Sequence, residues 1–312
     1  MSKPPEFPHL KHLQMEDREF IHEKLRQYRP QTSEWTFTNL FIWHAHYHFH
    51  WSTYQDWVLI VCEVQGQKPY ALQPIGPSSR LEPTLRLLAW MEKTWGTGAA
   101  RIERADERLV SELGGNSGLM IEPTREHFDY IYQTTDLIKL NGRKYHGKRN
   151  HLNKFRRHHS FSYASLHAEH IASCLDLSES WCEWRRCEED LNLTGESEAI
   201  RHALKHFQDL EIQGGVILMG DSVKAFALGE LVNDQMAVVH IEKADPQIPG
   251  LYALINQQFC EHAWQDVPWI NREQDLGEPG LRKAKLSYVP DHLIEKYRIT
   301  LSSGPAPVSS RD

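Results

Sequence analysis

The stretch "WINREQDLGEPGLRKAKLSYVP", from Trp269 to Pro290, crowds acid–base and ion-pairing side chains into one place. If Trp269 to Asp275 is a strand, alternation puts Asn271, Glu273 and Asp275 on one face and Arg272 and Gln274 on the other. Five consecutive polar residues are poor core material. Carboxylates beside an arginine are what proton transfer, or a grip on a phosphate or carboxylate, requires. Gly277 and Pro279 then turn the chain into a helix with Leu281, Ala284 and Tyr288 on one side, while Arg282, Lys283 and Lys285 supply charge. The layout predicts a ligand mouth; paired surface salt bridges are the bland alternative for half of these residues.

Two further stretches carry chemistry. "MAVVHIEKA" holds Glu242 and runs through "DPQIPG" into a helix whose apolar positions are Leu251, Leu254, Ile255 and Phe259. Free N–H groups at that helix start bind an anion if a ligand reaches them; otherwise this is a plain strand-to-helix connection. Between Lys139 and His159 stand eight lysines and arginines and no carboxylate. A helix from His146 with only Leu152 and Phe155 as its apolar stripe cannot be mostly buried. Its basic residues either track an RNA backbone or, through Lys148, Arg149 and His151, grip a phosphate group. A solvated positive face is the alternative, which Gly147, Asn150 and Asn153 weaken.

Alternating His44, His46, His48 and His50 would project from one face if they lay on a strand. Zinc sites recruit ligands from several elements, so a helix end passing into a strand is the expected reading, with no metal.

The elements that must hold these residues are mixed. Helices are expected from Arg18 to Arg29, after a Ser33 cap, from Arg80 to Gly96 and from Asp106 to Leu113. "DWVLIVCEV" and "KPYALQPIG" read as a hairpin, and "AARIERA" and "LMIEP" as strands. In the second half, "FDYIYQTTDLI" and "FSYASL" are strand candidates, with helices from Ile171 to Asp190 and Ser197 to Gln213. "VILMGD", "SVKAFALGELVND" and "MAVVHIEKA" form an antiparallel meander, and the chain closes as helix, strand, helix, strand, the last being "HLIEKYRITL". This is an α/β pattern with mixed sheets and a division near residue 140.

The 312 residues, 40% hydrophobic and 25% charged with net charge −7, fit an ordinary soluble protein of about two domains. The start has no signal-peptide core, and the longest apolar run, "WVLIVC", is far below membrane-spanning length, so the cytoplasm is expected. Five cysteines without a C-x-x-C pair predict free thiols.

"KYHGKRNHLNKF", "NREQDLGEPGLRKAKLSYVP" and "SEWTFTNLFIW" together resemble an uncharacterised bacterial family related to the C-terminal catalytic domain of phosphatidylglycerol lysyltransferases. The resemblance covers most of the chain. It implies two tandem domains of the GNAT acyltransferase fold, as in Fem-type aminoacyltransferases; the division near residue 140 makes them residues 1–140 and residues 141–301, the second bearing the site. The last eleven residues, "SSGPAPVSSRD", have no periodic apolar face and read as a disordered tail over 302–312. In acetyltransferases a Q/R-x-x-G-x-G/A loop cradles the coenzyme A pyrophosphate. The matching residues here are Gln247, Ile248, Pro249, Gly250, Leu251 and Tyr252. A tyrosine in place of the final small residue crowds a pyrophosphate at the helix start, so no tightly bound cofactor is expected, and aminoacyl-tRNA is favoured over coenzyme A as donor. The membrane-spanning half of the lysyltransferases has no counterpart here, so a lipid acceptor does not follow.

The implied activity is transfer of an acyl or aminoacyl group to an amine or hydroxyl acceptor. Glu242 or Asp275 is the candidate base and Tyr288 the candidate acid. Lys148, Arg149 and Arg272 hold phosphates or carboxylates, with Asn150, His151, Gly250, Tyr252, Asn271, Glu273 and Lys285 completing the binding set. The alternative is a non-catalytic GNAT shell that binds a phosphorylated ligand or RNA.

Overall fold

The computed structural model describes residues 3–96 and 98–302, so the expected tail lies, from residue 303 on, outside the described residues. In chain order come β1 (Lys11–His12), α1 (Arg18–Tyr28), α2 (Phe37–Ile42), α3 (His44–Tyr47), β2 (His50–Tyr54), β3 (Trp57–Cys62), β4 (Tyr70–Leu72) and α4 (Leu81–Trp95). Then follow β5 (Arg101–Ala105), α5 (Glu107–Leu113), β6 (Leu119–Pro123), β7 (Asp129–Gln133), α6 (Thr134–Lys139), α7 (His146–His158), β8 (Ser162–Ser165) and α8 (Ile171–Arg185). The rest is α9 (Leu191–Lys205), α10 (Phe207–Leu210), β9 (Gln213–Met219), β10 (Ser222–Asn233), β11 (Met236–Ala244), α11 (Leu251–Ala263), β12 (Trp269–Asn271), α12 (Pro279–Leu286), β13 (His292–Ile294) and β14 (Tyr297–Leu301).

Contacts divide the chain into two units. One takes the residues up to Tyr28, Tyr47–His127 and those from Glu295 on; the other takes Arg29–His46 and Phe128–Ile294. The division therefore follows the sheets rather than a single cut at residue 140. β7 already belongs to the second sheet, and β14 returns to the first.

The first unit is a seven-stranded sheet in the order β1-β2-β3-β4-β5-β14-β6, with β4 and β5 its parallel pair. α4 makes the crossover between them. Pro83, Thr84, Leu87, Leu88 and Met91 recur at helical spacing and are buried, and Gly96, at φ 93°, ends the helix where a side chain would be strained. Leu87, Leu88 and Met91 pack with Leu59, Val61, Ala71, Ile102 and Ile299 of the sheet and Leu109 and Leu113 of α5.

The second sheet runs β13-β7-β12-β11-β10-β9-β8. β9, β10 and β11 are the expected meander, and α11 carries the chain across to β12, which lies parallel to β11. That parallel pairing is short: Met236–Val238 faces Trp269–Asn271 and then the two strands part. The chain beyond β12 stays tied to β7, since Arg272 N–H donates to the Tyr130 carbonyl at 3.0 Å and Tyr130 N–H to that of Glu273 at 3.2 Å.

A bulge in β11 decides which side chains face the opening. Leu228 pairs with Ile241 and Gly229 with Val239, leaving His240 as an extra residue. The alternation is reset there. Ala237 and Val239 before the bulge and Ala244 after it all face the core with Leu251, Leu254 and Phe259 of α11, and Glu242 turns to α11 as well.

Several sequence expectations need correction. Thr36, not Ser33, caps α2, because Ser33 is taken by Asp129 through its N–H (2.8 Å) and hydroxyl (3.0 Å). The strand expected over "WINREQD" ends at Asn271, with Glu273 in the left-handed region at φ 56°, so alternation does not set the faces beyond it. "HLIEKYRITL" is two strands in two sheets. The helices expected to reach Asp190 and Gln213 stop at Arg185 and Lys205, where left-handed Arg186 and a new turn intervene. That turn brings the Cα atoms of Cys182 and Cys187 within 5.1 Å in a disulfide, so only Cys62, Cys174 and Cys260 are free thiols among the five. Among the described residues no helix is long and apolar enough to cross a membrane.

The bulge depends on Gly229, where an added Cβ would lie 2.3 Å from the Val238 carbonyl oxygen. Gly229→Ala is expected to cost about 2 kcal/mol or more of stability, read as a lower urea midpoint, since backbone must move to admit the methyl. An unchanged midpoint would show that the bulge does not need the glycine.

Candidate functional site

Where β11 and β12 part, side chains from four further elements of the second unit, β7, α7, α11 and α12, converge on them. Arg272, just past β12, reaches back to Glu242 of β11, its Nη2 lying 3.2 and 3.3 Å from the two carboxylate oxygens. Asn256 of α11 donates its Nδ2 to Glu242 Oε2 at 3.1 Å. The guanidinium lies over the rings of Tyr288 (4.8 Å) and Tyr132 of β7 (5.8 Å). Lys148 of α7 stands 3.9 Å over the other aromatic partner it shares with Arg272, Tyr288. Lys285 of α12 donates to the Arg272 carbonyl, while the Tyr132 hydroxyl donates to that of Lys285 at 2.8 Å. The sequence places these residues on separate elements, and only the parting strands collect them.

Three cations around one carboxylate make the cluster electropositive. Burial and the Arg272 charge push Lys148 down to about 8 against the pull of Glu242. The same two causes push Lys285 to about 8. Burial disfavours the charged Arg272, but the Glu242 charge together with Tyr288, Tyr132 and Cys260 outweighs this and holds it as a guanidinium. Burial first of all pushes the Tyr288 hydroxyl far up, so it stays protonated. Two polar atoms here are buried without a partner among the described residues: Arg272 Nη1 and Asn256 Oδ1.

The turn after β12 is fixed by its surroundings. Asn271 Nδ2 donates to Asp129 at 2.9 Å, and Asn271 Oδ1 accepts from the Glu273 N–H at 2.7 Å. Asp275 accepts from the Tyr130 hydroxyl (2.6 Å), the Gly277 N–H (2.9 Å) and Arg282 (2.8 and 2.9 Å). Burial raises the Asp275 carboxyl, but these donors outweigh it and hold it at about 2. Glu273 and Glu230 bracket buried His240 at 2.8 and 2.9 Å. Burial works against the imidazolium; the two carboxylates prevail and raise its pKa to about 9.

Of the basic segment only Lys148 joins the cluster. Arg149 donates to the carbonyls of Leu140 and Gly142, pinning the turn that enters α7. Asn150 pairs with His146 on the exposed side of the helix at 3.0 Å. The His151 side chain is exposed, and its carbonyl lies 3.2 Å from where a Cβ on Gly250 would stand, so α7 backs directly onto the start of α11. Tyr252 turns from that start and accepts a hydrogen bond from the Trp181 indole at 2.8 Å. His44 and His46 lie on the short α3 and His50 opens β2, and no metal-holding group of His, Cys, Asp or Glu occurs among the described residues. A groove of about 400 Å³ lined by Trp181, Trp184, Asp221 and Asp245 contains none of the cluster.

Sequence reading missed Asn256, Tyr132 and His240. The signal for Asn256 was a polar residue set among Leu254, Ile255, Phe259 and Cys260, all buried on α11. Tyr132 and His240 sit in apolar strands and read as core.

The sequence model of a family described as "Phosphatidylglycerol lysyltransferase, C-terminal" matches residues 25–300. A protein of unknown function from Bacteroides thetaiotaomicron VPI-5482 is 30% identical, with 94% of this chain and 99% of that one covered and a TM-score of 0.86. L-PGS from Bacillus licheniformis is 15% identical over 94% of each chain, with a TM-score of 0.64. FemX is 8% identical over 94% of this chain and 97% of its own, with a TM-score of 0.54. At such identities the last two likenesses concern the fold. The expected GNAT-like α/β class, with one mixed sheet in each unit, is the fold this chain has.

The bracketed imidazole gives a pH test. A histidine raised from an ordinary value near 6.5 to about 9 stabilises the fold fully below about pH 6.5, and that contribution is lost as pH rises through about 9. Lys148 and Lys285, depressed to about 8, act in the opposite sense, because their cost to the fold fades above that pH. The difference between wild type and His240→Gln isolates the histidine. In urea melts that gap should narrow by up to about 3 kcal/mol between pH 6 and 10. A constant gap would mean that His240 is neutral throughout.

Proposed function

The chain belongs to the phosphatidylglycerol lysyltransferase C-terminal family, and on that footing we propose that it transfers an activated aminoacyl group to an amine or hydroxyl acceptor at the Arg272 cluster. One observation carries the reading: a buried guanidinium, held by Glu242, keeps Nη1 without an acceptor among the described residues where β11 and β12 part. A pre-aimed cation suits a carbonyl oxygen that gains negative charge as a nucleophile attacks.

In the proposed step the acceptor's nitrogen or oxygen forms a bond to the donor's carbonyl carbon, and the bond from that carbon to the ester oxygen of the donor breaks. The acceptor's proton passes to Lys148, whose amine is partly neutral near pH 8. The Tyr288 hydroxyl supplies the proton taken up by the departing oxygen and is restored from solvent. Glu242 is better read as the anchor of Arg272 and Asn256 than as the base, since both its oxygens are engaged. Asp275 is saturated by Arg282, Tyr130 and Gly277.

Aminoacyl-tRNA is the proposed donor in preference to coenzyme A. The start of α11, where a pyrophosphate would sit, is backed by the His151 carbonyl, which lies 3.2 Å from where a Cβ on Gly250 would stand. Exposed Lys154, Arg157 and His158 continue along α7 from Lys148 and suit a nucleic-acid backbone.

The test is acceptor-dependent release of aminoacyl groups from a panel of charged tRNAs, run beside acyl-coenzyme A donors. Wild-type turnover should rise as pH climbs through about 8, as Lys148 loses its proton. Lys148→Ala should lose about 10²- to 10⁴-fold in rate at an unchanged melting temperature, and added small primary amines should restore part of it. Transfer from acyl-coenzyme A alone, or full activity in Lys148→Ala, would overturn the reading. Binding without turnover would favour the non-catalytic alternative.

A further inference from the structure

Asn256 is 1% exposed, between Ile255 and Gln257 on the buried side of α11. Its orientation is set by chemistry. Glu242 only accepts hydrogen bonds, so the Asn256 Nδ2 must face it, as it does at 3.1 Å. The Oδ1 is thereby turned elsewhere, and no donor among the described residues meets it. Arg272 meets the same carboxylate, spending Nη2 on both of its oxygens, and its Nη1 has no acceptor among the described residues.

Buried polar atoms are nearly always paired in a working protein. One bare acceptor and one bare donor beside a carboxylate thus describe what a ligand must bring: an N–H or O–H for Asn256 Oδ1 and an oxygen for Arg272 Nη1. An α-aminoacyl group has both on adjacent carbons. Its carbonyl oxygen suits the guanidinium and its amino group suits the amide oxygen, with the Glu242 charge close by for an ammonium. A plain acyl group satisfies the arginine and leaves the amide oxygen bare. We propose that Asn256 is the residue that reads the α-amino group of the transferred unit and so selects aminoacyl over simple acyl donors.

This inference rests on the transfer reading, but its test needs no turnover. L-Alaninamide and propionamide differ only in the α-amino group. Their binding to the whole protein can be followed by ligand-observed NMR. Wild type is expected to bind L-alaninamide at least about tenfold more tightly than propionamide, as a buried acceptor rejects ligands that cannot pair with it. Asn256→Leu should bring the ratio to about one, with L-alaninamide losing at least about tenfold more affinity than propionamide; a merely structural role would weaken both alike and keep the ratio. A ratio near one in wild type, no binding of either amide, or an unaltered ratio in Asn256→Leu would overturn the proposal. If Asn256→Leu does not fold, the wild-type ratio and that of Asn256→Gln, which keeps both an amide donor for Glu242 and an acceptor oxygen and should keep the preference, decide it. Discrimination without transfer from any charged tRNA would sink the proposed function and leave this role standing. Transfer without discrimination would sink this role alone.

Discussion

The Arg272 to Glu242 pair spans the point where two parallel strands separate, and the second unit's chemistry is organised around it. Such a parting leaves backbone and side chains facing a gap that ladder hydrogen bonds no longer close. A paired guanidinium and carboxylate bridge the gap without filling it. Partly buried ion pairs of this kind contribute little net stability, because desolvation offsets attraction, yet removing one partner leaves an uncompensated charge. That balance favours keeping the pair for what it positions. Asn256 is oriented by the carboxylate, while burial and then the guanidinium's charge lower the proton affinity of Lys148 and Lys285.

The cluster keeps its shape because the turn behind it is tied at every residue. Asn271 is held by Asp129, the Glu273 N–H by Asn271, and Asp275 by Tyr130, Gly277 and Arg282. His240 is clamped between Glu230 and Glu273. These networks tie the turn to β7, β10 and α12. Their role is to hold a left-handed Glu273 and the arginine beside it in one orientation.

The first unit contains a polar knot of similar composition and opposite character. Arg80, 1% exposed, donates to Glu112 and, at 2.6 Å, to the Tyr28 hydroxyl, which donates in turn to Asp106 at 2.6 Å. The Asp106 N–H reaches Gln73 at 2.9 Å. None of these side chains has a buried atom without a partner. Comparable residue types therefore fasten α1, α4 and α5 in one unit and form an open cluster in the other. The difference lies in whether every donor has met its acceptor.

The sequence by itself determined the class of the fold and most of its elements, because hydrophobic periodicity is a local property. The meander from Gln213 to Ala244, the crossover by α11 and the helix of the basic segment are all legible from spacing. So was the presence of Glu242, Arg272, Lys285 and Tyr288 near chemistry, since runs of polar residues at element ends are poor core. Tertiary structure alone decided which of them meet. The bulge at His240 resets the alternation that sends Glu242 toward α11, and no periodicity signals one extra residue in a paired strand. Arg149 and Asp275 looked as reactive as Lys148 and Arg272. They are spent on the Leu140 and Gly142 carbonyls and on Arg282, partners fixed by how turns fold back. "HLIEKYRITL" reads as one strand, but its halves join sheets built from distant segments. Local pattern fixes what a segment can become, whereas partnership between residues far apart in sequence is fixed only when the sheets assemble.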